Sequence, residues 1–271
     1  MGSNNLSGVY KTAKKNGTVY YRAGITFKNK HISLGSFDDE NSAHAAYLEA
    51  SHVLKDDKCT ILKYNKDTIL PYGKWVSLIN FRDTGIYFQT PIVLGRSYFN
   101  YHLSQDTVLK FDMEDLFYYS KHKIMKRGNH YFVADYGMQV NIANRYGIKN
   151  WAVIDKDYCF INGDTTDFRR ENIEVFNIYQ GVSKITSQKG NTLYVAKIHL
   201  KGNYVIGYYE SAKEAAIAYN KAIDIFKSKG INKNYRPNYL EDMSPRQYAD
   251  IYSQCKISDS VLNASIAVDN P

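Results

Sequence analysis

The apolar and polar positions of the chain fall into stretches of strand period and stretches of helix period, and one such combination occurs twice. Laid side by side, residues 7–54 and 180–228 agree in order, SGVYK opening the first and QGVSK the second. A polar, glycine-bearing turn follows in each, Lys15-Asn16-Gly17 or Lys189-Gly190-Asn191. Then comes a strand-like run, YYRAGITF in one copy and LYVAKIHL in the other. A second tight turn, around Lys28-Asn29 or Lys201-Gly202, leads into HISLGSF or YVIGYYE, with Gly35 and Gly207 at matching places. The interval from Gly8 to Gly35 is 27 residues and that from Gly181 to Gly207 is 26.

Helix period takes over next. Ala43, Ala46, Tyr47 and Ala50 match Ala215, Ala218, Tyr219 and Ala222, each set forming one stripe at i, i+3, i+4, i+7. Three small residues let a helix lie close to a sheet, and the tyrosine fills the gap. Asp38 and Asp39 put acidic groups at the start of the first helix, and Ser211 with Glu214 reads as a capping box for the second. Each copy is therefore predicted to be three short antiparallel strands backed by one helix.

The rest of the chain has other textures. Residues 60–105 alternate in a strand-like way with Pro71, Gly73 and Pro91 as breaks, which predicts a small hairpin or sheet extension. Ser244-Pro245 begins a short helix after the second copy, and the last dozen residues read as frayed. The fold class is α+β and multi-domain. The predicted divisions are a first module at 1–62, a strand-rich connector at 63–105, a middle domain at 106–178, a second module with terminal helix at 179–256, and a flexible tail at 257–271.

Composition narrows the partner. The formal net charge of +8 and pI near 9.1 come without a long basic run, so the excess charge belongs to folded surfaces and favours a polyanion. Cys59, Cys159 and Cys255 are odd in number and far apart, fitting neither a disulfide framework nor a paired-cysteine zinc site. No apolar stretch spans a bilayer, and the N-terminus lacks the apolar core of a signal peptide. Met1-Gly2-Ser3 lacks the rest of an acylation signal because Leu6 stands where Ser or Thr is needed, and it reads as a cloning remnant. The expectation is a soluble, cytoplasmic protein associated with the nucleoid. No nucleophile arrangement, phosphate-binding glycine loop or HExxH pattern is present.

GVYK, SLGSFDDE and SAHAAYLEA in the first copy, with GVSK and VIGYYESAKEAAIAYNKA in the second, resemble the Apetala-two/ethylene-response-factor DNA-binding domain. The resemblance implies a sheet lying in the major groove, its helix-distal residues touching bases and phosphates. Strand alternation then names them. Tyr21, Ala23, Ile25 and Phe27 face inward and Arg22, Gly24 and Thr26 outward. In the second copy Tyr194, Ala196, Ile198 and Leu200 face inward, leaving Val195, Lys197 and His199 outward. Tyr10, Thr12, His31 and Ser33 share the outward face of the first copy, as do Ser183, Ile185, Asn203 and Val205 that of the second. Lys11, Lys14, Lys15, Lys28, Lys30, Lys184 and Lys201 would supply the salt-sensitive part of the affinity. The candidate DNA-binding residues are thus Tyr10, Lys11, Thr12, Arg22, Thr26, His31, Ser33, Ser183, Lys184, Lys197, His199 and Asn203. The second copy, with Lys197, His199 and Asn203, reads as the better reader.

YCFINGDTTDFRRENIEVFN, in the middle domain, resembles the second half of an HNH homing-endonuclease motif through Ile161-Asn162-Gly163-Asp164, Asp167, Arg169 and Asn172. Such a nuclease needs a metal to brace the phosphate and a histidine to deprotonate water. Here Phe160 holds the general-base position, Cys159 a metal-ligand position and Phe168 that of an asparagine. The expectation is a small ββα domain without catalysis, metal or cofactor. If active, it would use Asp164, Asn172 and Mg²⁺ with His122 or His130. The basic run from Lys121 to Arg127 would touch the DNA backbone. Three readings stay open: a double-stranded DNA-binding regulator or repressor derived from a phage or bacterial homing endonuclease, an active HNH-type endonuclease, or a phage-encoded inhibitor that binds a host protein.

Overall fold

Between Val9 and Lys55 the strand and helix periods become three antiparallel strands, β1 (Val9–Ala13), β2 (Val19–Phe27) and β3 (Lys30–Phe37), followed by helix α1 (Glu40–Lys55). The computed structural model describes residues 6–186 and 190–264; Met1-Gly2-Ser3 and Lys189 lie outside them. The chain forms two units, Met1–Ile142 with Phe160–Asn172 and Ala143–Cys159 with Ile173–Pro271. The division passes through the segment predicted as a middle domain, not at its ends. The fold is α+β, with five small antiparallel sheets among the described residues.

In the first unit Ala43, Ala46 and Ala50 are fully buried against the sheet, joined by Val9, Ala23, Ile32 and Leu34. Asp39 starts α1 by accepting the Ser42 amide at 2.8 Å and its hydroxyl at 2.6 Å. These bonds hold the Asp39 carboxyl below its ordinary range. At the other end Arg82 donates through Nη1 to the carbonyls of Val53, Asp56 and Cys59, closing the helix C-terminus with a cation.

Arg82 belongs to an element the alternation does not predict. Residues 72–84 form helix α2 (Tyr72–Thr84), not part of a hairpin. Every residue from Trp75 to Phe81 is buried, so no polar face marks a helical period. Ser77 and Asn80, which give WVSLINF its strand-like look, are satisfied internally. Ser77 Oγ donates to the Gly73 carbonyl at 2.9 Å, and Asn80 Nδ2 to that of Ile86 at 2.8 Å. Pro71 before the helix and Gly85, left-handed at its end, are the punctuation that betrays it.

Strands β4 (Ile92–Leu94), β5 (Tyr98–His102) and β6 (Val108–Asp112) make a second sheet, followed by the short helix α3 (Leu116–Lys121). A third sheet comprises β7 (Ile124–Arg127), β8 (His130–Asp135) and β9 (Met138–Asn141). Phe99, Phe111 and Tyr119 stack in the core between them, Phe111 and Tyr119 at 4.3 Å. Residues 160–172 dock on β6, where the Phe168 amide donates to the Lys110 carbonyl and the Lys110 amide to that of Thr166.

The second unit contains β10 (Tyr158–Phe160, the last residue belonging to the first unit), paired with β11 (Ile173–Val175). Strands β12 (Val182–Thr186), β13 (Thr192–His199) and β14 (Asn203–Tyr209) then precede helix α4 (Ala212–Ser228). The predicted Ser211–Glu214 capping box is formed. Helix α5 (Pro245–Gln254) starts at Ser244 as expected. The predicted tail differs: residues 257–264 are docked, with helix α6 (Asp259–Leu262), a fully buried Val261 and the Ser258 amide donating to the Ile206 carbonyl. Val261 and Ala264 supply the apolar contacts that hold this stretch down.

The two modules agree in register as well as in order. Val9, Tyr10 and Lys11 pair with Ala23, Arg22 and Tyr21; Val182, Ser183 and Lys184 pair with Ala196, Val195 and Tyr194. Both sheets carry a bulge at the same place, between Ala23 and Gly24 and between Ala196 and Lys197. The extra residue lies on the third strand, Leu34 or Ile206, and the middle-strand amide just past the register shift donates to the glycine preceding the first strand, Gly24 to Gly8 at 2.9 Å and Lys197 to Gly181 at 2.7 Å. The one-residue difference in interval lies in the second hairpin: four residues separate Thr26 from its partner His31, three separate His199 from Asn203.

Gly8 and Gly181 have φ of +74° and +75°, and a Cβ on either would fall within about 2.7 Å of the Tyr47 or Tyr219 ring. Two expected outcomes follow, both read by urea denaturation. Gly8→Ala costs about 3 kcal/mol or more, ~1–2 from left-handed backbone and the rest from displacing the ring; Gly17→Ala, with φ +83° but open space around it, costs only the ~1–2 kcal/mol backbone share. Burial lowers the pKa of His102, which shares a 3.2 Å hydrogen bond with Tyr72, to about 4. The unfolded chain takes up this proton near pH 6.5 and the folded one only near 4, so stability is complete above pH 6.5. It is lost on acidification across that window, by up to about 3 kcal/mol, and His102→Gln flattens the profile.

Candidate nucleic-acid interface

The helix-distal face of the first sheet is built from cross-strand rows. Thr12 lies beside Tyr20, then Tyr10 beside Arg22 and Ser36, Gly24 beside Ser33, and Thr26 beside His31. Arg22, Thr26, His31, Ser33 and Ser36 are all exposed, and Tyr10 is 57% exposed. The Arg22 guanidinium sits 5.7 Å from the centre of the Tyr20 ring, which positions it without neutralising it. Thr26 Oγ1 and His31 Nδ1 meet at 3.4 Å, and the imidazole lies over Gly24, where a Cβ would come within 2.8 Å of it.

Alternation alone misses Ser36, whereas Tyr20 shares the outward phase of Arg22. The bulge advances the third strand by one residue, so that Leu34 and Phe37 both face the helix and Ser36 turns outward beside Arg22. Gly35, at φ +142°, is the sequence signal for it, since a glycine inside a strand marks a bulge. Lys11 and Lys184 are exposed but sit in the helix-side rows of Tyr21 and Tyr194 and not on the outward face. Lys28 donates to the Arg82 carbonyl at 3.0 Å and is committed to the fold.

The second sheet has the same rows with different occupants. Ser183 lies beside Val195 and Tyr208, Lys197 beside Val205, and His199 beside Asn203, with His199 Nδ1 3.1 Å from Asn203 Oδ1. Val195 takes the place of Arg22 and is only 3% exposed, whereas alternation left it outward and open. Ser183, Lys197, His199 and Asn203 line a crevice of about 320 Å³ together with Trp151 and Lys156 from the turn before β10. That turn is anchored by Asp157, whose carboxylate accepts the Val153 amide and Asn177 Nδ2, while Asn177 Nδ2 also donates to the Val182 carbonyl. Lys197, His199 and Asn203 are exposed where they line that crevice, Ser183 is partly covered and Val195 is buried.

Comparison of the chain with protein-family models, with curated proteins and with solved structures gave no match.

The nuclease-like residues come together in one turn, engaged with each other. Asp164 accepts from the amide and hydroxyl of Thr166. Asn172, buried, accepts the Asn162 amide through Oδ1 and donates through Nδ2 to the carbonyls of Asp164 and Asp167. Asp167, wholly buried, meets Arg169 Nη2 at 2.7 Å and Lys110 Nζ at 3.7 Å. Burial alone would raise the Asp167 pKa, but the Arg169 hydrogen bonds and charge, with Lys110 behind them, hold it below the ordinary range. Phe160 and Phe168 are core residues, their rings edge to face at 5.6 Å, and Phe168 also stacks on Phe111. His122 is occupied elsewhere, stacked on Tyr118 at 4.1 Å with Nδ1 on the Tyr118 carbonyl and Nε2 3.6 Å from Asp135. His130 stands exposed at the β7–β8 turn. Among the described residues no group of three or more His, Cys, Asp or Glu is placed to hold a metal ion, and no helix is long and apolar enough to cross a membrane.

The turn network makes its own prediction. Asp167→Ala strips Arg169 of its buried partner and lowers stability by about 3 kcal/mol in urea. Asp164→Ala, which removes only exposed hydrogen bonds, costs about 1 kcal/mol.

Proposed function

We propose that the chain is a double-stranded DNA-binding protein that reads its site with the outward face of β1–β3 and acts as a regulator or repressor without cutting. The observation that carries this reading is the exposed constellation of Tyr10, Arg22, Ser36, Thr26 and His31 on a sheet face backed by a closely packed helix. Strands of a sheet can enter a DNA groove, and guanidinium, imidazole and hydroxyl groups are the donors and acceptors that base edges and phosphates require. The net charge of +8 supplies attraction independent of sequence. The sequence resemblance to Apetala-two-like modules points the same way.

Descent from an HNH homing endonuclease accounts for the turn at 160–172, whose carboxylates and amides serve folding. In this reading the second module supports the protein and its sheet is a weaker partner for the duplex.

Selection of bound duplexes from a random pool at two salt concentrations, followed by anisotropy titration with Mg²⁺ present, tests the proposal. Arg22→Ala weakens binding to the selected site about 10–100-fold, the ~1–3 kcal/mol of a good polar base contact. Lys197→Ala changes it by less than about 3-fold, and the duplex is recovered intact. A larger effect at Lys197 than at Arg22 would transfer the reading face to the second sheet, and absence of any salt-dependent shift would end the proposal.

A further inference from the structure

Outside the first sheet, the strongest concentration of uncompensated charge in the first unit lies on the β7–β8–β9 ribbon. Residues 116–134 include no carboxylate, and four permanent cations, Lys121, Lys123, Lys126 and Arg127, fall within seven positions. All four are exposed. His122 Nε2 lies 3.6 Å from Asp135, whose carboxylate also accepts from Tyr118 Oη at 3.2 Å. None of the four cations has an acidic partner among the described residues.

The ribbon is nonetheless firmly held. Ile124 and Val133 pair across it and are buried, the Ile124 amide donates to Tyr101 Oη at 3.0 Å, and Tyr131 meets Phe168 edge-on at 6.0 Å. Aromatic rings position two of the cations without cancelling them. Lys121 Nζ lies 3.9 Å from the centre of the exposed Phe117 ring, and Lys126 Nζ 5.8 Å from that of Tyr131. Arg127 pairs with His130 across the tip, where Gly128 and Asn129 make the turn.

We propose that this ribbon is a clamp for the phosphate backbone of the duplex, contacting it through Lys121, Lys126 and Arg127. The inference rests on the DNA-binding reading above and adds a second contact surface within the same unit as the first sheet. Phosphate fits better than an acidic protein. The tip from Lys126 to His130 has no apolar anchor around which a protein interface could be desolvated, whereas a phosphate contact gains by counterion release and needs no dry core. Fixed cations on a rigid ribbon also lose little side-chain freedom on binding.

The test is the salt dependence of duplex affinity for wild type, Lys126→Ala/Arg127→Ala and Arg22→Ala. These exposed substitutions leave the urea midpoint within experimental scatter. The double variant is expected to lower the slope of log K against log salt by about 2, roughly one unit for each lost phosphate contact, while the affinity ratio between selected and scrambled duplexes stays at the wild-type value. Arg22→Ala shifts that ratio. An unchanged slope in the double variant, with wild type binding normally, overturns the clamp alone, and a collapsed ratio overturns it by making the ribbon a base reader. Wild type that ignores duplex DNA but binds polyglutamate through these cations overturns both the clamp and the function on which it rests.

Discussion

The contact between a tyrosine ring and a glycine that has no Cβ sets the geometry of both modules. Tyr47 lies on Gly8 and Tyr219 on Gly181 at distances that any side chain would forbid. The alanine stripe lets α1 and α4 approach, but this contact fixes where along the sheet they stop. It also frees the glycine carbonyl, in a left-handed conformation, to accept the amide of the middle-strand residue at the bulge, Gly24 or Lys197. Helix position, strand start and bulge are thereby one device. Because the bulge decides which side chains of the third strand face outward, the same device composes the face proposed to read DNA.

This linkage explains what the sequence reveals and what it hides. The repeat, the two helices and the capping box at Ser211 are legible because each rests on local spacing. Arg22, Thr26, His31 and Ser33 are legible for the same reason, lying where plain alternation from Tyr21 puts them. Ser36 is not, because it lies beyond the bulge and its phase is inverted. Helix α2 is hidden for a different reason: its buried stretch from Trp75 to Phe81 is covered on all sides, so periodicity has nothing to contrast. Only Pro71 and Gly85 mark its ends. The burial of Val195 departs from the exposure that plain alternation gives an outward position.

The turn at 160–172 illustrates how residue types suited to one task serve another. Carboxylates and amides that could hold a metal are equally suited to closing a turn, since both tasks need several acceptors at short range. Asn172 uses both ends of its amide inside the turn, and Asp167 is held by two cations. Phe160 meets Phe168 edge to face, and Phe168 stacks on Phe111. The backbone bonds between Lys110 and residues 166 and 168, with the Asp167–Lys110 pair, attach this segment to β6.

The two sheets share a scaffold to the level of individual hydrogen bonds, so their outward faces can be compared position by position. Arg22 corresponds to Val195, Gly24 to Lys197, Thr26 to His199 and His31 to Asn203. A hydrogen-bonded pair closes the hairpin end of each face, with the histidine on opposite strands. The decisive exchange is at the centre, where a solvated guanidinium in one copy is a buried valine in the other. A charge there demands water or an anion, and a valine demands cover. With the scaffold held constant, that one position separates a face with an exposed cation at its centre from a face with a buried valine there.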